Sequence, residues 1–123
     1  MNEDIRRLPD AELEVMQAVW DCPEPVYRSE IQARLHRPMA QTTLLTLLTR
    51  LGEKGFLRIE KQGRSRRYVP LVSRRDYQAL QSRRFVDKVF GGSIPAFASA
   101  LCDSALTKEE LCQLRQLLEE DGL

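Results

Sequence analysis

The residues best suited to chemistry lie between positions 39 and 56, where the sequence reads MAQTTLLTLLTRLGEKGF. At the spacing of an α-helix, four of its leucines fall on one side and its threonines, with Arg50 beside them, on the other. Threonine is a weak helix former on an exposed surface, so helix stability does not explain the choice. Hydroxyl groups and a guanidinium can bind phosphates and base edges, and threonine methyls or Leu45 can contact thymine methyls. This stretch therefore favours noncovalent recognition of nucleic acid.

The charges are segregated along the chain, although they sum to only +1. Residues 1–30 carry 3 basic and 8 acidic side chains, and residues 101–123 carry 2 basic and 6 acidic ones. Residues 31–100 between them carry 14 basic and 4 acidic side chains. Solvated surfaces can produce such segregation, but a basic block that contains a polar helix face favours a polyanionic partner.

Two short helices are predicted before the threonine-rich one. The first spans about residues 10–20. Its apolar stripe consists of Leu13, Met16, Val19 and Trp20. A DCPEP segment ends this helix, and residues 26–27 form a short extended piece. Ser29 and Gln32 have the spacing of a capping box, which predicts a second helix that ends near Leu35.

The threonine-rich helix is predicted over residues 40–54, and Gly55 is placed to end it in the left-handed conformation. Residues 56–71 follow as a β-hairpin, in which FLRIEK and RRYVPL are the strands and QGRS the turn. Three helices and a hairpin are the layout of a winged helix-turn-helix. In this layout the threonine-rich helix is the recognition helix and the hairpin is the wing.

The predicted wing is strongly basic. Three arginines fall at its tip and two further cations in its strands: Arg64, Arg66 and Arg67, with Arg58 and Lys61. Such cations can lie along a DNA backbone or in a minor groove, and a generic basic surface loop is the alternative interpretation. Tyr68 is expected to pack under the wing rather than to stack on a base.

The carboxy-terminal third is predicted to be helical, with helices over residues 74–90 and beyond Thr107 separated by Gly91 and Gly92 and an apolar segment, 94–101. Thr107 and Glu110 have the spacing of a capping box. The small amino-terminal domain cannot bury all of these apolar stripes, so we expect a second copy of the chain to cover them. The predicted dimerisation residues are Phe85, Val89, Phe90, Phe97, Leu101, Leu111, Leu114 and Leu118.

The predicted fold class is therefore mostly α with a small β-hairpin. A winged helix-turn-helix DNA-binding domain is predicted over residues 1–72, and a helical carboxy-terminal dimerisation region over residues 73–123.

Three segments carry a resemblance to a known family: DAELEVMQAVW (10–20), TTLLTLLTRLGEKGFL (42–57) and GRSRRYVPLVS (63–73). In this order and spacing they resemble the penicillinase repressor family, which also contains methicillin-resistance and copper-responsive repressors. The first two segments are specific in combination. A weaker resemblance extends through the carboxy-terminal third and so covers nearly the whole chain.

The resemblance implies a homodimeric winged-helix repressor that binds double-stranded DNA at a palindromic operator, with the carboxy-terminal helices forming the dimer. By the family's pattern, Thr43, Thr46 and Arg50 fall on the DNA-contacting helix. Arg64 falls on the wing. With the residues chosen above, the full set predicted to contact DNA is Gln41, Thr42, Thr43, Leu45, Thr46, Thr49, Arg50, Arg64, Arg66 and Arg67.

The chain departs from the family's pattern at several positions. Thr42 and Leu45 stand where relatives often carry longer polar or basic residues, which predicts a different operator preference. The resemblance also implies a membrane sensor metallopeptidase as a partner, which releases the resistance-gene repressors by cutting an Asn-Phe bond. That bond aligns with residues 99–101, which read SAL here, so we do not expect cleavage at the usual bond. Cleavage near Ala100 by a related peptidase of different specificity is the alternative. The paired Cys-x-Cys motifs of the copper-responsive branch are also missing.

Other classes of protein are disfavoured. No apolar run has the length of a membrane span and the charged amino terminus does not resemble a secretion signal, so we expect a soluble, cytoplasmic protein. The spacing of Cys22, Cys102 and Cys112 predicts neither a disulfide framework nor a zinc site, and we expect three reduced, mostly buried thiols. An oxidation response of Cys102 and Cys112 at the dimer interface is a secondary hypothesis.

We expect no enzymatic activity, no cofactor and no bound metal, because His36 is the one histidine and no phosphate-binding loop or metal-ligand cluster is recognisable. The alternative function is a winged-helix protein-interaction module that scaffolds a complex without sequence-specific DNA readout. Such a module would not need threonines and an arginine on its third helix or three arginines on its wing.

Overall fold

The computed structural model describes residues 5–120, except for the side chain of Ser104, so the outermost residues of the two predicted regions lie outside it. The predicted fold class is confirmed: the described chain is mostly helical and carries one small antiparallel sheet. In the amino-terminal part the elements are α1 (Asp10–Asp21), β1 (Val26–Tyr27), α2 (Arg28–Arg34), α3 (Gln41–Glu53), β2 (Leu57–Gln62) and β3 (Ser65–Pro70).

The sheet has three strands in the order β1-β3-β2, and both pairs are antiparallel. The wing turns at Gly63, whose φ of 61° lies in the left-handed region that glycine adopts without strain. Val26 pairs with Tyr68, which joins the two-residue strand before α2 to the wing. The short extended piece at residues 26–27 was predicted, but this pairing was not, and it places the start of α2 beside the wing.

The apolar side of α3 forms the centre of the core. Its four buried leucines are Leu44, Leu47, Leu48 and Leu51. Gly55, with a φ of 83°, follows the helix, and Phe56 donates its backbone N–H to the Leu51 carbonyl over 2.9 Å. Tyr68 is only 2% exposed, so it packs under the wing as predicted. The recognition helix is thus fixed by burial along its whole length.

The stripe predicted for α1 is only partly correct. Met16 and Val19 are buried as expected, but Leu13 and Trp20 are only half-buried. The buried side also includes Glu12, Val15 and Ala18. The reason is that α1 contacts both α2 and α3, so the face that it buries is wider than one stripe at helical spacing.

Trp20 and Tyr77 connect α1 with the segment that follows the sheet. The Trp20 indole donates to the Val72 carbonyl over 2.9 Å, and the Tyr77 hydroxyl accepts from the Leu8 backbone N–H over 2.9 Å. The two ring centroids lie 5.8 Å apart. Each ring therefore combines an apolar contact with a satisfied polar group.

Of the two predicted capping boxes, one forms and one does not. Thr107 and Glu110 exchange both expected hydrogen bonds, at 2.9 and 3.1 Å. The box predicted at Ser29 is wrong, because α2 begins at Arg28 directly after the extended Tyr27 and has no side-chain cap. Gln32 is used elsewhere: its amide donates to the Met39 carbonyl over 2.7 Å and so bridges the turn between α2 and α3.

The chain divides into two compact units, one up to Ala79 and one from Leu80 onward. The predicted boundary between residues 72 and 73 lies just before α4, whereas the division into compact units falls inside that helix. The remaining elements are α4 (Arg74–Phe90), α5 (Ile94–Ala100), a π-helical turn (Leu101–Ala105) and α6 (Lys108–Glu120). Within residues 5–120 no single helix is long and apolar enough to cross a membrane. The bent pair formed by α4 and residues 94–103 has the length and composition of a membrane span, and this is the only evidence for one.

The prediction of mostly buried thiols is wrong for two of the three cysteines. Cys22 is half-buried, and this burial raises the pKa of its thiol. Cys102 and Cys112 are exposed in the chain, and all three thiols are free. Cys112 lies on the side of α6 away from the leucine stripe.

We predict that Lys54→Met destabilises the domain by about 3 kcal/mol, because it leaves the carboxylate of Glu12 buried without its counter-charge. Glu12 is 4% exposed and forms a salt bridge with Lys54, which links α1 to the end of α3. The matched control is Arg37→Met, which removes an exposed salt bridge to Glu14 and should cost at most about 1 kcal/mol. Urea unfolding measures both changes, and equal small losses would contradict the prediction.

Candidate nucleic-acid interface

The solvent-facing side of α3 carries the side chains that the sequence indicated. Leu45 is half-buried, and the other six candidates on this helix are exposed: Gln41, Thr42, Thr43, Thr46, Thr49 and Arg50. Arg50 belongs to no salt bridge among the described residues. Its guanidinium therefore keeps its donors for an external acceptor.

Two of the threonine hydroxyls already have a hydrogen-bond acceptor. Thr46 donates to the Thr42 carbonyl and Thr49 donates to the Leu45 carbonyl, each over 3.0 Å. A hydroxyl has one proton, so neither group has a donor left for a phosphate while this bond persists. What these side chains offer outward is a methyl group and oxygen lone pairs. We therefore expect Thr46 and Thr49 to contact DNA through their methyl groups rather than by donating hydrogen bonds to phosphates, as the sequence alone had suggested.

The strand register separates the arginines of the wing onto two faces. Arg66 pairs with Lys61 and points to the same side of the sheet as Tyr68, two residues further along the strand. Arg67 pairs with Glu60 and points to the opposite side. The three arginines predicted to act together are therefore not brought together.

An open cleft of about 400 Å³ lies between the wing and the starts of α2 and α3. Arg64 and Arg66 line it together with Gln41 and Leu45 of α3, whereas Arg67 does not. Its remaining lining residues are Tyr27, Arg28, Ser29, Ser65 and Tyr68. The cleft thus joins the amino-terminal end of the recognition helix to the exposed cations of the wing.

Arg28 and Ser29 are cleft residues that sequence reasoning missed. They are there because β1 pairs with β3, which brings the first turn of α2 against the wing. The Arg28 guanidinium donates to the Gln32 side-chain oxygen over 3.2 Å. The sequence does show a basic residue, Arg28, directly after the two-residue strand. Its place in the cleft can be inferred only when the pairing of that strand is known.

Arg67 and Arg58 both bind Glu60 on the outer face of the wing, which we define as the face carrying Arg58, Glu60 and Arg67. Arg58 Nε donates to Glu60 Oε2 over 2.8 Å, and Arg67 Nε donates to Oε1 over 3.1 Å. A second Arg67 nitrogen, Nη2, also donates to Oε1. The hydrogen bonds from Arg67 and then Arg58 lower the pKa of Glu60, so this carboxylate is ionised at neutral pH.

The carboxy-terminal unit exposes apolar side chains. Among the predicted dimerisation residues, Phe85, Val89 and Leu118 are exposed. The others are half-buried: Phe90, Phe97, Leu101, Leu111 and Leu114. Phe85, Phe90 and Phe97 form a cluster with edge-to-face contacts and ring centroids 5.4 to 6.1 Å apart. Ile94 and Leu117, which were not in the predicted set, are also exposed.

Comparison of the chain with known protein families identifies its family. The family model described as "Penicillinase repressor" matches residues 8–120 of the chain. The chain belongs to the penicillinase repressor family. The resemblance inferred from the three sequence segments is thereby confirmed.

Individual relatives agree with this membership. The penicillinase repressor of Bacillus licheniformis is 32% identical over 94% of this chain and 92% of its own length. The methicillin resistance regulatory protein MecI of Mammaliicoccus sciuri is 27% identical over 98% and 99%. The solution structure of monomeric Bacillus licheniformis BlaI in complex with the blaP half-operator has a TM-score of 0.49 at 35% identity, covering 59% of this chain and 90% of that one.

For this member of the penicillinase repressor family we predict that the methyl group of Thr46, and not its hydroxyl, contributes to DNA affinity. Thr46→Val should bind the preferred duplex within about twofold of wild type, because it keeps a methyl at that position. Thr46→Ser should weaken binding by about 0.8 kcal/mol, or roughly fourfold, for the lost methyl. Fluorescence anisotropy measures both. A large loss with Val and none with Ser would show that the hydroxyl is the contacting group.

Proposed function

We propose that the protein is a homodimeric, sequence-specific DNA-binding transcriptional repressor that acts in the cytoplasm on a palindromic operator. It binds DNA through α3 and the wing. The observation that carries the proposal is the cleft, which Gln41 and Leu45 of α3 line together with the exposed cations Arg64 and Arg66. The similarity to a penicillinase repressor and to a methicillin resistance regulatory protein supports repression as the output.

The recognition helix and the wing have different roles in this proposal. Arg50 and the threonines of α3 enter the major groove, where Arg can bind guanine O6 and N7 with two hydrogen bonds. The exposed cations Arg64 and Arg66 and the half-buried Arg28 line the cleft beside the helix, where cations suit phosphates rather than bases. Base contacts select the sequence, and phosphate contacts fix the orientation of the helix in the groove.

Dimerisation follows from the apolar surface of the carboxy-terminal unit. Phe85, Val89 and Leu118 are about half exposed in the single chain, and a second copy related by a two-fold axis would cover the same residues on both sides. A two-fold dimer presents two recognition helices to half-sites one DNA turn apart, roughly 34 to 36 Å. An operator with two-fold symmetry is the matching target.

Release by a membrane sensor metallopeptidase stays a prediction of the family resemblance. The aligned position, residues 99–101, lies where α5 ends and the π-helical turn begins. Ser99 and Ala100 are exposed there. Because the chain reads SAL at this place, we propose that cleavage of an Asn-Phe bond is not the signal that releases this repressor.

Substitution of two arginines separates sequence readout from phosphate binding. Arg50→Ala should weaken binding to the preferred duplex by about 1 to 3 kcal/mol and relax the preference at one base position. Arg66→Ala should weaken all duplexes alike and reduce the slope of log affinity against log salt by about one. Binding to preferred and random duplexes over a salt series measures both, and equal effects on both duplexes from both variants would contradict these roles.

A charge on the leucine stripe of α6 should produce monomers. Leu118→Asp places a carboxylate where the partner is expected to pack and should shift the dimer toward monomer by at least about tenfold in dissociation constant, since burying an unpaired charge is costly. Gln116→Asp is the matched control, because two residues along a helix correspond to 200° around it. Sedimentation equilibrium distinguishes the two variants. If both dimerise as wild type does, the dimer uses another surface.

A further inference from the structure

Glu60 binds two arginines of the wing on the face opposite the cleft. One carboxylate oxygen accepts from Arg58 and the other from Arg67, so both oxygens are occupied by guanidinium groups. Arg58 precedes Glu60 by two residues on β2, and Arg67 faces it directly across the strand pair. A carboxylate with a guanidinium on each oxygen is a charge-assisted arrangement that fixes the direction of both side chains.

Both arginines nevertheless remain accessible to solvent. The side chains of Arg58 and Arg67 are 58% and 35% exposed, and that of Glu60 is 27% exposed. Salt bridges at this degree of exposure contribute little to stability. With Glu60 charged, a DNA phosphate must displace its carboxylate to bind either guanidinium. Without that charge, both guanidinium groups become available to phosphates.

The outer face also has acidic surroundings, while the cleft face is cationic. Glu24 adjoins Arg67 on the outer face, where it acts on this guanidinium electrostatically. On the cleft side, Arg64 and Arg66 take part in no salt bridge among the residues that the structure describes. The positive charge of the wing is thus directed toward the cleft rather than spread over both faces.

We propose that Glu60 is a positioning residue for DNA specificity: by binding Arg58 and Arg67 it withholds them from phosphates and confines DNA contact to the cleft face of the wing. This inference rests on the proposed DNA-binding function. Contacts to phosphates strengthen binding to every sequence alike, so two additional free arginines would raise the affinity for random DNA. In the specific orientation the outer face of the wing does not contact DNA, so the released arginines add less to the affinity for the preferred duplex. Random DNA can bind the wing in other orientations, so its affinity rises more. The ratio of specific to non-specific affinity would therefore fall.

Glu60→Gln tests the proposal, because it removes the charge and keeps the shape of the side chain. The slope of log affinity against log salt for random duplex DNA should become steeper by about 1 to 2, corresponding to one or two more phosphates neutralised. At 0.1 M salt, the affinity for random duplex should rise about three- to tenfold. The affinity for the preferred duplex should rise less.

The matched control is Asp21→Asn. It changes the net charge by the same amount and also releases an arginine, Arg74, which binds Asp21 over 2.7 Å but lies at the start of α4, outside the wing. The slope for Asp21→Asn should stay within about 0.3 of wild type. Far-UV circular dichroism and thermal melting of each variant verify that the wing remains folded.

A variant that combines Glu60→Gln with Arg58→Gln and Arg67→Gln identifies the cations responsible. Its slope should return to near that of wild type, because the released arginines are gone. A slope for Glu60→Gln equal to that of Asp21→Asn would overturn the inference while leaving the proposed function intact. If wild-type protein binds no duplex DNA at all, the proposed function fails and this inference fails with it.

Discussion

The burial of four leucines along one side of α3 determines what the domain presents to solvent. Leu44, Leu48 and Leu51 are at most 1% exposed and Leu47 is 6% exposed, so the helix cannot rotate about its axis without exposing apolar surface. The threonines and Arg50 are outside because the leucines are inside. The salt bridge between Glu12 and Lys54 adds a polar link at the far end of the same helix. An interface made of short side chains requires this fixed orientation, since a threonine cannot reach around a misplaced backbone.

The recognition helix was predictable from sequence because its leucines repeat at helical spacing, and the wing because glycine marks its turn. The pairing of β1 with β3 was not predictable, since two residues carry too little pattern to specify a partner strand. Arg28 and Ser29 enter the cleft only through that pairing. Likewise, Arg66 and Arg67 are adjacent in sequence and equal in charge, and the strand register alone places them on opposite faces.

Local hydrogen bonds explain the remaining differences from the sequence-based expectations. A capping box at Ser29 would require that residue to precede the helix, but the extended Tyr27 already does so and the Gln32 amide is bound to Met39. The box at Thr107 forms because this residue directly precedes Lys108, the first residue of α6. On α3, the threonine hydroxyls donate to the carbonyls of the preceding turn. The composition of the exposed face was thus predictable, while the hydrogen-bonding capacity left to it was not.

The interface combines a helix held in place by its buried leucines with a wing whose positive charge lies mainly on the cleft face. The central claim is that the protein uses both to select DNA sequences as a symmetric dimer. The measurement that tests this most directly is selection of the purified protein against a random duplex DNA pool at near-physiological salt, with sequencing of the bound fraction. The account predicts enrichment of a two-fold symmetric motif whose half-sites are about one helical turn apart, roughly 34 to 36 Å. A folded dimer that enriches no motif would contradict it, and the winged helix would then be better explained as a protein-interaction module.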